Sequence, residues 1–73
     1  MTTSAVPIVY SLLTCQACRM LRQDWTRDGV AFEERIVDDN QHWLDEAVKI
    51  GDVVPIIVYP DGRVETGYKN YIS

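Results

Sequence analysis

Val6-Pro7-Ile8-Val9-Tyr10-Ser11-Leu12-Leu13-Thr14-Cys15-Gln16-Ala17-Cys18 carries a strand, a turn and a helix start in succession. Residues 6–12 are rich in β-branched side chains and nearly continuous in hydrophobicity, as expected of a strand covered on both faces in a parallel sheet. Pro7 fits only near its beginning. Cys15 and Cys18, the only two cysteines of the chain, follow directly and open a stretch in which Cys18, Leu21 and Trp25 recur at helical spacing. Two thiols three residues apart at a helix start can close a small disulfide ring, and the unpaired N–H groups and dipole of that helix favour the thiolate of the first. The spacing reads first as dithiol redox chemistry.

Working outward, the helix runs from residue 16 to about residue 27, with Arg19, Gln23, Thr26 and Arg27 opposite the apolar side and Arg22 on the flank. Asp28-Gly29 stops it. Residues 30–37 alternate as a half-exposed strand nearer a sheet edge. Asp38, Asp39 and Asn40 can each cap a second helix over about 41–50, whose buried face is Trp43, Leu44, Ala47, Val48 and Ile50. Gly51 ends it. Residues 54–59 form a third strand, and Pro60-Asp61-Gly62 turns the chain into a fourth at 63–66, making an antiparallel hairpin. The order β-α-β-α-β-β is that of a single α/β domain over residues 1–73, with a four-stranded mixed sheet. Its strand-helix-strand unit demands a right-handed parallel crossover.

Size and charge narrow the function further. Seventy-three residues leave room for one site, near the lower limit for a chain without metals, disulfides or a partner. A net charge of −4 argues against binding a phosphate backbone, which takes clustered cations, so no nucleic acid partner is expected. The longest apolar run, residues 53–59, is far too short to span a bilayer, and residues 1–5 lack the features of a secretory signal. A cytoplasmic protein without membrane contact is expected, and there a CxxC is more often redox-active or metal-binding than a structural staple. Metal binding is short of ligands: a closed zinc site needs four, and the other soft candidate is His42 on a separate helix. No metal ligand is assigned. His42 is read as an exposed or capping residue, Trp25 and Trp43 as packing anchors, and Asp38 and Asp39 as helix-start charges.

Cys15-Gln16-Ala17-Cys18 after the first strand, Val54-Pro55 opening the third and the Pro60-Asp61-Gly62 hairpin make the chain resemble a glutaredoxin-like member, or small redoxin, of the thioredoxin superfamily. The likeness covers residues 6–68. Tyr10 stands in the strand leading to the cysteines, as in many family members. Thr66-Gly67-Tyr68 is similar to the Ser-Gly-Phe segment of the small redoxins that donate electrons to ribonucleotide reductase. The chain departs from the pattern at Gln16-Ala17, where glutaredoxins commonly carry Pro-Tyr, and at Leu12, where a cationic residue often contacts glutathione. Gly67 also lacks a preceding second glycine and following acidic residues.

The resemblance implies a thioredoxin-like fold whose C-terminal helix is missing or vestigial, leaving a sheet face near residues 68–72 less covered and open to self-association. It implies an enzyme, a small thiol–disulfide oxidoreductase or electron carrier. Cys15, at the helix start and the more solvent-exposed thiol, is the attacker, with a pKa lowered from ~8.5 toward about 3.5–7.5; Cys18, one turn in, is the resolver. Val54 and Pro55 are implied as substrate contacts through a cis peptide bond, together with Gly67 and Tyr68. Arg19, four residues after Cys15, adds positive charge by its spacing, and with Arg22 and Arg27 it reads either as a solvated helix face or as a docking stripe for an acidic reductase or glutathione's carboxylates. No bound cofactor is implied, glutathione being at most a reductant. The partners are a disulfide-containing protein substrate and, as electron source, a flavoprotein thioredoxin reductase or glutathione, with Leu12 and the glycine element favouring the reductase. Two other classes stand beside this one: an iron–sulfur cluster carrier in a dimer that pools two CxxC pairs with glutathione, and a non-catalytic thioredoxin-fold interaction module.

Overall fold

The computed structural model describes residues 6–51 and 53–69. In chain order they form strand β1 (Ile8–Ser11), helix α1 (Gln16–Arg27), strand β2 (Glu33–Ile36), a 3-10 turn (Val37–Asp39), helix α2 (Gln41–Ile50), strand β3 (Ile56–Val58) and strand β4 (Val64–Thr66). The protein is α/β, with a four-stranded mixed sheet in the order β2-β1-β3-β4. β1 runs parallel to β2, with Ile8 opposite Glu33, and antiparallel to β3, with Ile8 opposite Val58. β3 and β4 form the expected hairpin. Its turn is closed by the Tyr59 N–H on the Arg63 carbonyl at 2.8 Å, with Gly62 at φ 92°, a left-handed conformation that glycine adopts without a Cβ penalty.

The period-two alternation of β1 sends successive side chains to opposite helices. Val9 packs with Leu21 of α1 and Ile57 of β3, closed in by Trp25, Phe32, Tyr59 and Tyr68. Tyr10 packs with Val37, Ala47 of α2 and Ile56, closed in by Ile8, Leu12, Trp43, Leu44 and Val58. The two helices thus cover the two faces, as the continuous hydrophobicity of residues 6–12 predicts. Each fully buried aliphatic side chain contributes about 1.5–3 kcal/mol. Val9, Leu21, Ile56 and Ile57, each at 2% exposure or less, therefore hold the layers together.

Both helices keep their expected bounds, and local chemistry explains why. Asp28 caps α1, Gly29 turns away at φ 75°, and the Val30 N–H closes on the Trp25 carbonyl at 2.8 Å. Asn40, rather than Asp38 or Asp39, caps α2: its Oδ1 accepts the Trp43 N–H at 3.1 Å. Gly51 ends α2 in extended backbone, and a Cβ there would stand 3.2 Å from Thr66 Cγ2.

Several expectations are corrected: β1 spans Ile8–Ser11 rather than 6–12, β3 Ile56–Val58 rather than 54–59, and β4 Val64–Thr66 rather than 63–66. The second strand occupies Glu33–Ile36 rather than 30–37. The Pro7 carbonyl takes the Glu33 N–H at 2.8 Å, but proline has no N–H with which to carry the ladder further back, and Val37 turns out of the strand to bury its side chain. On α2, Val48 is 62% exposed and Ile50 39%. A residue advances ~100° around a helix, so Val48 leaves the narrow stripe of Trp43, Leu44 and Ala47, and Ile50 lies in the last turn beside the chain's exit. The expected missing or vestigial C-terminal helix falls largely on residues 70–73, outside the described residues; Tyr68 and Lys69 are not helical. Among the described residues no helix is long and apolar enough to cross a membrane.

Candidate functional site

β1 ends at Ser11, buried in the sheet, and the chain turns through Leu12-Leu13-Thr14 so that the Cys15 N–H meets the Leu12 carbonyl at 3.3 Å. Cys15 is the N-cap of α1. It keeps extended backbone, and its Sγ accepts the N–H of Cys18 at 3.0 Å, doing with sulfur what a capping hydroxyl does with oxygen. Cys15 and Cys18 are joined by a disulfide, their Cα atoms 5.2 Å apart. Strand end, turn and helix start bring the two sulfurs together, as the spacing predicts.

Their exposure differs from expectation. Cys15 is the more exposed of the two by a small margin, 3% against 1%, but both are buried. They form a small apolar cluster with Ala17, covered by Leu12, Val54 and Tyr68. A helix-start position by itself leaves a thiol open; here side chains from three separated segments close over it.

The other expected site residues divide. Val54 and Tyr68 pack on the cysteine cluster. The Val54-Pro55 bond is cis, as the resemblance implies, and the Pro55 carbonyl accepts the Gly67 N–H at 2.8 Å, so these two segments lie side by side. Arg19 differs. It is exposed, its backbone N–H bonds the Cys15 carbonyl at 3.1 Å, and among the described residues its side chain makes no ion pair. The arginine stripe is not free as a set, because Arg22 is bound to Glu34 and Arg27 to Asp24 and Asp28.

No protein-family model, curated protein or solved structure matches this chain. The chemistry of the site accordingly rests on its own geometry.

Three carboxylates that the sequence does not single out anchor polar networks in the fold, and one of them, Asp24, touches a residue of the site. Asp24, on the buried side of α1, accepts the Tyr68 hydroxyl at 2.7 Å and Lys69 Nζ at 3.3 Å, both on Oδ2, while Arg27 faces Oδ1 at 3.5 Å. The bond from Tyr68 is the largest cause holding the Asp24 carboxyl below the usual carboxylate range. Burial and the same bond push the Tyr68 hydroxyl up. Below β1, Glu34 accepts Ser11 Oγ at 2.8 Å and a forked pair of bonds from Arg22, Nε to Oε1 at 2.8 Å and Nη2 to Oε2 at 2.6 Å. That guanidinium holds the Glu34 carboxyl down. On the α2 face, Glu46 accepts Tyr10 Oη at 3.1 Å and Arg35 Nη1 at 3.0 Å, and it faces the exposed His42 at 3.2 Å. Burial, followed by the bond to Glu46, raises the Tyr10 hydroxyl.

Asp24 had a signal in the sequence. It falls on the same helical side as Ala17 and Leu21, and a carboxylate on an apolar stripe needs a partner. The partner is 44 residues away, so periodicity alone does not name it. Among the described residues no group of three or more His, Cys, Asp or Glu is placed to hold a metal ion.

Proposed function

We propose that this chain is a small thiol–disulfide oxidoreductase of glutaredoxin-like, thioredoxin-superfamily type, with Cys15 as attacking sulfur and Cys18 as resolving sulfur. The observation that carries this reading is the placement of Cys15 Sγ at the N-cap of α1, bonded to Cys18 and receiving its backbone N–H. When the disulfide opens, that N–H and the positive end of the helix favour negative charge on Cys15 sulfur. The pairing in a mixed sheet of a helix-opening dithiol with a Val-Pro segment packed over it supports the same family reading.

In the forward direction the Cys15 thiolate attacks one sulfur of a substrate disulfide. A Cys15–substrate disulfide forms, and the other substrate sulfur leaves as a thiolate that takes a proton. Cys18, losing its own proton, then attacks Cys15 Sγ, closing the internal disulfide and expelling the second substrate sulfur. Two electrons have passed from the protein to the substrate. They are restored by a dithiol donor, which reopens the Cys15–Cys18 bond and is itself oxidised to a disulfide. The rim of Leu12, Val54 and Tyr68 is apolar, which suits a protein donor and a protein substrate better than the carboxylates of glutathione. A flavoprotein thioredoxin reductase is the donor favoured by this surface.

The test is turnover of a protein disulfide with wild type, Cys15→Ser and Cys18→Ser, using thioredoxin reductase or glutathione as alternative donors. Cys15→Ser abolishes turnover, whereas Cys18→Ser accumulates a mixed disulfide through Cys15. Retained reductase activity in Cys15→Ser overturns the assignment.

A further inference from the structure

Tyr68 has an unusual place in the fold. Its ring packs on the Cys15, Ala17 and Cys18 cluster and on the Val9, Leu21 and Ile57 cluster, joining the disulfide to the core. The other two covers follow from the sheet: Leu12 continues β1, and Val54 leads into β3 through Pro55. Tyr68 lies beyond the last strand, between Gly67 at φ 79° and Lys69 at φ 54°. A non-glycine residue in the left-handed region is held there by its surroundings. Here those surroundings include Asp24, which takes Lys69 Nζ and the Tyr68 hydroxyl on the same oxygen. Lys69 Nζ also stands 5.2 Å from the centre of the Tyr68 ring.

We infer that Asp24 is a positioning residue: through its bond to Tyr68 it holds that ring as a cover over the Cys15–Cys18 disulfide, and so sets how readily a reductant reaches the sulfurs. The inference rests on the redox reading above. The cover accounts for a dithiol pair that is buried although it opens a helix. The ring is one of three covers on the sulfurs; its swinging aside opens a way to Cys15 sulfur, and the Asp24 bond opposes that movement. Asp24 touches neither sulfur nor substrate; it acts through Tyr68.

The test measures reduction of the internal disulfide by a water-soluble phosphine in native buffer, with the thiols counted by alkylation and mass spectrometry. In this reaction the phosphine takes oxygen from water to become its oxide, and the disulfide gains two electrons and two protons to give two thiols. Tyr68→Phe keeps the ring and removes the bond; Asp24→Leu removes the acceptor. Each is expected to speed reduction about tenfold, the factor equivalent to ~1.4 kcal/mol. The double variant is expected to react no faster than Asp24→Leu alone, because that substitution already removes the bond that Tyr68→Phe deletes. Glu46→Gln, which weakens the Tyr10 and Arg35 network on the opposite face, is expected to react at the wild-type rate.

A Tyr68→Phe protein with native circular dichroism and an unchanged reduction rate overturns the inference. So does a double variant whose accelerations multiply, or a Glu46→Gln protein that speeds up equally, since reduction would then follow general loss of stability. The phosphine rate does not depend on enzymatic turnover. A wild type inert toward disulfide substrates therefore refutes the proposed function while these rates still decide the cover.

Discussion

Glu34→Gln isolates one charge beneath the central strand. Glu34 binds Arg22 through a forked pair of bonds of 2.8 and 2.6 Å and accepts Ser11 Oγ at 2.8 Å, while Ser11 itself is fully buried. Glutamine keeps an oxygen for the Ser11 hydroxyl, so the substitution removes chiefly the charge facing the guanidinium. Hydrogen bonds to charged groups contribute ~1.5–3 kcal/mol net. The Arg22 side chain, however, is 37% exposed and that of Glu34 19%, so water screens the pair. The expected loss is about 1 kcal/mol at pH 7, which for a domain of this size lowers Tm by roughly 4–8 °C.

The pH dependence provides the sharper test. Arg22 lowers the folded-state pKa of Glu34, so the unfolded chain binds the proton more readily. The stabilisation is fully present above the unfolded value of ~4.3 and is lost as pH falls through the lower folded value. Urea denaturation of both proteins at pH 7 and pH 2 should show the wild type ahead at the higher pH and the gap narrowed at the lower. A gap of equal size at both pH values would mean that packing, not charge, accounts for the difference. No gap at pH 7 would show the pair to be energetically idle.

Two further substitutions test the backbone and the core. Gly29→Ala places a Cβ on a residue at φ 75° with no atom within 4 Å to clash, so its cost is purely conformational. It should destabilise by roughly 1–2 kcal/mol, and a neutral outcome in denaturant melts would show that this turn relaxes freely. Leu21→Ala truncates a side chain of the cysteine helix α1 that is 1% exposed and packs between Val9 and Ile57. A loss of about 2–5 kcal/mol in equilibrium unfolding is expected, whereas less than 1 kcal/mol would mean that α1 does not depend on this contact.

The strand-turn-helix carrying Cys15 and Cys18, the bounds of both helices and the final hairpin were legible along the chain. Each is decided within a few residues: periodicity sets the buried face, Asn40 supplies a cap, and Gly62 supplies the left-handed turn. The shorter second strand was not, because its start depends on pairing with a proline-led neighbour in another segment. The exposure of Val48 likewise follows from how narrow a stripe of α2 the sheet accepts.

By itself the sequence determined that the two thiols meet, since a helix start brings residues three apart within bonding reach whatever lies around them. Only the tertiary structure decided that they are buried, because the covering residues Leu12, Val54 and Tyr68 come from three separated segments. It alone also paired Asp24 with Tyr68, 44 residues apart. Local geometry is a property of neighbours along the chain; burial and charge pairing belong to whichever distant segments the packed core brings together.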